Sequence, residues 1–312
     1  MSVLFTFPGQ GSQRAGMLHA LPGHTEVART LEEASDTLGY DVQSIDDAAT
    51  LRSTVAVQLC LLIAGVAQAR VIQAHGHEPD TVSGLSIGAY PAAVTAGALL
   101  YSDAVRLVAL RGQLMERAYP GGYGMTAIVG MTQRALERLI AQVNSEAEPV
   151  FLANINTETQ MVVAGSDAAI HRLAALASEH GAQRCERLDV AVPSHCALLD
   201  TPAASLADAF AQVDVRAPRA AYLSSSVARP LFDGARIAAD LAGNMAQQVR
   251  WHDTMRLAWE RGARLAIEMP PANVLTRLAG AIFTEGVAVS CSETSLPDLG
   301  TLVDRERARD ER

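Results

Sequence analysis

The sequence predicts an α/β protein: a mostly parallel sheet wrapped by helices, interrupted by a small inserted unit of ferredoxin-like order. Three observations predict it. Short apolar runs alternate with helix-period segments on both sides of the middle of the chain, as parallel strands joined by helical crossovers do. Pro120-Gly121-Gly122 breaks that alternation, and Pro193 closes the break. Between them lie strand-like and helix-like segments in the order β-α-β-β-α-β. The expected division is residues 1–121 for the first part of a large domain, 122–191 for the insert, and 192–312 for the second part.

Ser2 to Phe7 is an apolar run ended by Pro8-Gly9, as a buried strand would be. Helical patterns follow through Ala69. Within them Val55 to Ala69 is the longest apolar stretch; it carries Gln58 and Gln68, is short for a membrane span, and reads as a core helix. Thr81 to Ser83 form a short strand into Gly84. The next helix must open near Gly88, because Pro91 is tolerated only near a helix start. Ser102 is the expected N-cap of the helix that carries Val105, Val108, Arg111 and Met115, with Asp103 in its first turn. In the insert, strands are expected at Met125–Val129, Val150–Ile155, Gln160–Ala164 and Ala182–Val190, and helices at Gln133–Val143 and Asp167–His180. Beyond it, helices are expected at Ala203–Val213, Ile237–Gln248, Trp251–Arg261 and Asn273–Phe283. Strands are expected at Ala221–Val227, Arg264–Glu268 and Val287–Cys291. The charged end, Asp304 to Arg312, reads as frayed.

Composition narrows the chemistry. The 312 residues are 49% hydrophobic, enough for a packed core. A net charge of -9 argues against nucleic acid as a partner. All 25 basic residues are arginine, which excludes a lysine Schiff base, a lysine general base and a P-loop lysine. Cys60, Cys185, Cys196 and Cys291 are scattered without zinc-ligand spacing, which suits a reducing cytoplasm and no metal. The N-terminus lacks a basic region and breaks at Pro8, unlike a signal peptide, so a cytoplasmic protein without membrane partners is expected.

Gly84-Leu85-Ser86-Ile87-Gly88 stands between a strand and a helix, the setting of a nucleophile elbow. Such a turn needs small neighbours and presents Oγ at a helix N-terminus, where free N–H groups favour an oxyanion. The competing reading is a plain glycine-rich turn. A serine needs a base, and His195 in VPSHCALL, just past the insert, lies where two domains meet. The other seven histidines read as surface or capping residues. Arg111 is either a guanidinium snorkelling to solvent or a bidentate carboxylate clamp. Gly9-Gln10-Gly11-Ser12-Gln13 follows a strand end without the lysine of a phosphate loop; it could bring Gln10 and backbone amides to a reaction centre.

Together these motifs resemble the malonyl-CoA:acyl-carrier-protein acyltransferase family over nearly the whole chain. The resemblance rests on FPGQGSQ (Phe7 to Gln13), GLSIGAY (Gly84 to Tyr90), LRGQLM (Leu110 to Met115), ANINTETQMVVAG (Ala153 to Gly165), VPSHCALL (Val192 to Leu199) and QVRW (Gln248 to Trp251). It implies an α/β-hydrolase-like large domain with a ferredoxin-like subdomain, and a Ser-His dyad with ping-pong chemistry. Ser86 would attack the malonyl thioester, and His195 would serve as base and then acid. Backbone N–H groups of Ile87 and Gln10 would form the oxyanion hole, and Arg111 would grip the malonyl carboxylate. The carbonyl of Arg250 would orient the histidine. Malonyl-CoA would be a substrate, with no permanently bound cofactor, and an acyl carrier protein the partner. Leu85 and Ala89 depart from the usual GHSxGE elbow, and Met269-Pro270-Pro271 from the usual GPG turn. GLSIGAYPAAV is more similar to the acyltransferase (epsilon) subunit of malonate decarboxylase, which implies that enzyme's carrier subunit as acceptor. The alternatives are a malonyl-CoA:acyl-carrier-protein transacylase of fatty-acid or polyketide synthesis, a serine hydrolase using a late histidine such as His252, and a non-catalytic acyltransferase-like subunit.

Overall fold

The computed structural model describes residues 2–190 and 192–310. Before the insert come β1 (Ser2–Phe7), α1 (Thr25–Leu38), α2 (Thr54–Ala74), β2 (Thr81–Gly84), α3 (Ala89–Thr95) and α4 (Tyr101–Ala118). The middle segment holds β3 (Tyr123–Val129), α5 (Gln133–Val143), β4 (Val150–Ile155), β5 (Gln160–Ser166), α6 (Asp167–Glu179) and β6 (Arg184–Arg187). After it come α7 (Asp200–Phe210), β7 (Ala221–Ser224), β8 (Arg229–Leu231), α8 (Gly234–Gly243), α9 (Trp251–Glu260), β9 (Ala263–Glu268), α10 (Val274–Ala279), β10 (Val287–Ser290) and α11 (Leu296–Asp310).

The large sheet runs β10-β9-β1-β2-β7-β8. All its neighbours are parallel except β8, which folds back antiparallel on β7 at the edge. β1 is central, and Val3, Leu4, Phe5 and Phe7 are fully buried, as a parallel strand covered on both faces requires. Each such side chain contributes about 1.5–3 kcal/mol. α2 is apolar around most of its girth because it packs against α1, α3 and α4. By length and composition alone it could cross a membrane, yet 89% of its most apolar window is buried inside the protein.

The small sheet runs β4-β5-β3-β6 with every pair antiparallel. Its elements follow in the β-α-β-β-α-β order read from the sequence. α5 and α6 share one apolar cluster with the sheet, and Met125, Ala153 and Val190 form another with Cys196, next to His195. β4 is also stitched to the segment after α8: Ile155 N donates to Val249 O, and Val249 N to Ala153 O, each at 2.8 Å.

Several expectations shift. Ser102 is not an N-cap; the helix starts at Tyr101 with Leu100 at the cap, which places Ser102 inside the first turn. The strand from Ala221 stops at Ser224 and turns into the β8 hairpin. The helix expected to reach Gln248 ends at Gly243. The charged C-terminus is not frayed through residue 310: α11 buries Leu299, Val303 and Glu306 on one face, and Arg307 donates to Glu78 O at 2.6 Å. The last two residues of that stretch, Glu311 and Arg312, lie outside the described residues.

Candidate active site

Ser86 follows β2 and opens the short 3-10 turn Ser86–Gly88 that runs into α3. Its φ is 57°, in the left-handed region, at a cost of about 1–2 kcal/mol for a residue with a Cβ. The flanking glycines explain how the turn closes. A Cβ on Gly84 would lie 2.0 Å from the Gly88 carbonyl carbon, and one on Gly88 would lie 2.1 Å from Phe7 O. The first bond inside the turn runs from Gly88 N to Leu85 O at 3.0 Å, so the amides of Ser86 and Ile87 precede it. The same turn is pressed on the end of β1, which leads through Pro8 and Gly9 to Gln10.

His195 lies on the segment between β6 and α7, also with a positive φ of 65°. Its N–H donates to Met245 O at 2.7 Å. Nε2 stands 2.8 Å from Ser86 Oγ. Nδ1 stands 2.8 Å from Asn244 O and 3.1 Å from Gln247 O. Carbonyl oxygens only accept, so Nδ1 carries the proton and Nε2 turns its lone pair to the serine hydroxyl. Burial, and secondarily the charge of Arg111, push the imidazole pKa down to about 4, so the ring is neutral at pH 7.

The partner expected for Nδ1, the carbonyl of Arg250, is corrected by this geometry. Arg250 O instead accepts from Thr254 N and Oγ1, inside the start of α9. Because α8 stops at Gly243, the carbonyls of Asn244 and Gln247 are free to turn toward the ring. Asn244 does more than orient the base. Its Oδ1 accepts from Arg111 Nη2 at 3.2 Å, and its Nδ2 donates to Ser86 O at 3.2 Å. One residue thus touches Ser86, His195 and Arg111. The sequence reading missed it; an asparagine just beyond a helix-ending glycine was the available signal.

Arg111 projects from α4 and is 0% exposed, so the snorkelling reading fails. Nη2 also donates to Ser86 Oγ at 3.3 Å. Among the described residues Nε and Nη1 have no hydrogen-bond partner, and no carboxylate lies within ion-pair distance. Burial lowers its pKa, and the Tyr90 ring, 5.9 Å from the guanidinium carbon, offers its face. A buried cation without an anion costs several kcal/mol, and a flat guanidinium with unused N–H groups accepts a carboxylate in bidentate fashion. His252, weighed as the base of a hydrolase, instead lies on α9 with Nε2 4.0 Å from Glu158.

The chain is similar to known proteins along nearly its whole length. The family described as the acyl transferase domain matches residues 4–299. A malonyl CoA-acyl carrier protein transacylase from Haemophilus influenzae is 37% identical over 296 residues, 93% of this chain and 95% of that protein. The transacylase from Bacillus subtilis strain 168 is 33% identical, with 94% of each chain covered. Among solved structures, the transacylase from Coxiella burnetii superposes with a TM-score of 0.92 at 32% identity, covering 98% of both chains. A malonyl-transacylase solved with a type II PKS acyl-carrier protein superposes with a TM-score of 0.90 at 33% identity, covering 98% of this chain and 100% of that one. The chain therefore belongs to the acyl transferase domain family, and it is an acyltransferase of the malonyl-CoA:acyl-carrier-protein type.

Proposed function

We propose that the protein moves a malonyl group from malonyl-CoA to the thiol of an acyl carrier protein, through a malonyl ester of Ser86. The observation that carries this reading is Arg111, a buried guanidinium beside the nucleophile with two donor groups unused. A malonyl group differs from other short acyl groups by a free carboxylate, the anion that such a guanidinium takes. In the first half-reaction His195 Nε2 accepts the Ser86 proton as Oγ attacks the thioester carbonyl. The oxyanion lies against the N–H groups of Ile87 and Gln10. The C–S bond then breaks, and the coenzyme A sulfur leaves with the proton from His195. In the second half the carrier thiol gives its proton to His195, its sulfur attacks the ester, and Ser86 regains the proton as the C–O bond breaks.

Pairing with the malonyl carboxylate would offset the charge of Arg111, the lesser of the two causes that depress His195. Intact-mass analysis tests the reading: mixing with malonyl-CoA gives a malonyl-enzyme, and Ser86→Ala gives none. An adduct that persists in Ser86→Ala overturns it.

A second reading concerns the acceptor. Leu85 and Ala89 flank Ser86 where the family usually has histidine and glutamate, a pattern more similar to the malonate decarboxylase subunit. The named relatives favour a transacylase of fatty-acid or polyketide synthesis, and that is the main proposal. Transfer rates from the malonyl-enzyme to the two kinds of carrier decide between them; faster transfer to the malonate decarboxylase carrier reverses the order. We also read the chain as an α/β-hydrolase-like domain, residues 1–121 and 192–312, with a ferredoxin-like insert at 122–191, working in the cytoplasm without a permanently bound cofactor.

A further inference from the structure

α3 opens at the nucleophile turn and ends at a second concavity. A groove of about 560 Å³ lies where its last residue, Thr95, meets α1, α2, the start of α4 and the segment between α7 and β7. That volume is within the range of small-molecule sites. Four guanidinium side chains line it: Arg29, Arg70, Arg216 and Arg219. This concentration of positive charge is notable in a chain of net charge -9.

Three of the four each meet one carboxylate: Arg29 pairs with Glu26, Arg70 with Glu33 at 3.0 Å, and Arg216 with Asp214 at 2.7 Å. Arg219 has no carboxylate within ion-pair distance among the described residues, so the set is not self-neutralised. The Arg70 side chain and the main chain that carries Arg216 and Arg219 are held in place. Arg70 lies 4.7 Å over the ring of Tyr101 and donates to Thr30 Oγ1 at 2.9 Å. The main-chain N–H groups of Arg216 and Arg219 donate to Ala98 O at 2.8 Å and Ala96 O at 2.7 Å, which pins their segment to the corner between α3 and α4.

A second observation is independent of the charges. Thr95 lines the groove and is only 7% exposed, yet its Oγ1 has no hydrogen-bond partner among the described residues. A helical threonine ordinarily returns its hydroxyl to the carbonyl one turn back. A buried hydroxyl without a partner costs about 1–3 kcal/mol.

We propose that this groove is a second binding site, for a small anion carrying phosphate groups. Guanidinium forks match phosphate oxygens two at a time, and a guanidinium already paired with a carboxylate keeps N–H groups to spare. Thr95 stands in the floor, with its unpartnered hydroxyl buried beneath the surface. Ser86 and Thr95 stand at opposite ends of one turn-helix segment, roughly 13 Å apart along its axis, so the groove is separate from the acyl site.

The experiment is a calorimetric titration of the full chain with inorganic pyrophosphate at low ionic strength. The native protein and Arg111→Met are expected to bind one equivalent with the same affinity. Arg219→Ala is expected to bind at least about tenfold more weakly, the loss of one charge-assisted contact. Its unfolding temperature without ligand should not change, because Arg219 is exposed. Arg216→Ala, at a second exposed guanidinium of the groove, should weaken binding in the same direction and serves if Arg219→Ala does not fold. Absence of binding to the native protein overturns the proposal, as does undiminished binding to both groove variants. Loss of binding in Arg111→Met alone also overturns it, because it assigns the anion to the acyl site.

Discussion

Two buried charges, Asp240 and Arg111, show opposite designs. Asp240, on α8 one turn before Asn244, is matched: Tyr222 Oη donates to it at 2.9 Å and Ser224 Oγ at 2.5 Å. Burial still raises its pKa, but the hydroxyls oppose that shift. Arg111 is unmatched, with two long hydrogen bonds and two donors unused. A buried charge whose bonds are complete fixes structure; here Asp240 ties the end of α8 to β7 and so holds the Asn244 segment. A buried charge whose bonds are incomplete is poised for something that arrives later. The same physical cost is spent in one case on rigidity and, in the proposed mechanism, in the other on recognition.

That contrast can be broken most directly at Arg111. Arg111→Met should lower kcat/KM for malonyl-CoA by roughly 30- to several-thousand-fold, the about 2–5 kcal/mol lost when one partner of a buried pair is truncated. Acetyl-CoA should be affected far less. The same substitution should raise the unfolding temperature, because it deletes an uncompensated charge. If stability falls along with activity, Arg111 belongs with Asp240 as a structural charge.

The pH response is next. The unfolded chain protonates His195 near its ordinary value of 6.5, the folded chain only near 4. Between those values the unfolded state binds more protons, so stability rises with pH. The contribution is complete above 6.5, and about 3 kcal/mol is lost as the pH falls to 4. Denaturant titrations of the native protein and His195→Gln measure the difference; parallel stability curves would remove the depressed imidazole. Asp240→Ala should cost about 2–3 kcal/mol, because it strands the Tyr222 and Ser224 hydroxyls, whereas Asp240→Asn should stay within about 1 kcal/mol of the native protein. Chemical denaturation separates the two. A smaller effect than at Arg111 is expected for Asn244→Ala, which keeps the carbonyl that faces His195 but loses both side-chain bonds. It should reduce kcat/KM by about tenfold and leave the pH profile unchanged.

The legible parts of the molecule were those set by local chemistry. β1, α5 and β4 fall on the expected residues because caps, breaks and periodicity agree there. Ser86, singled out by its glycine spacing, stands within hydrogen-bond distance of both His195 and Arg111. The segment after α8 was not legible, because Met245 and Val249 are buried and continue an apolar pattern past the end of the helix at Gly243. Backbone carbonyls carry no residue identity, so the change of histidine partner from Arg250 to Asn244 and Gln247 left no trace in composition. α11 was hidden differently: most of its charges face solvent, one of them, Glu306, is buried, and its apolar face is reduced to Leu299, Val303 and their neighbours.

The closeness of Gly84, Gly88 and the end of β1 decides which component of the reaction travels. With would-be Cβ positions about 2 Å from neighbouring main chain, the nucleophile turn cannot flex independently of the central sheet. In the proposed mechanism an acyl group on Ser86 is therefore held on a turn locked to the central sheet. Delivery and collection fall to the two thiols, one on coenzyme A and one on the carrier, which enter and leave in turn. The enzyme is then the stationary bench of this transfer.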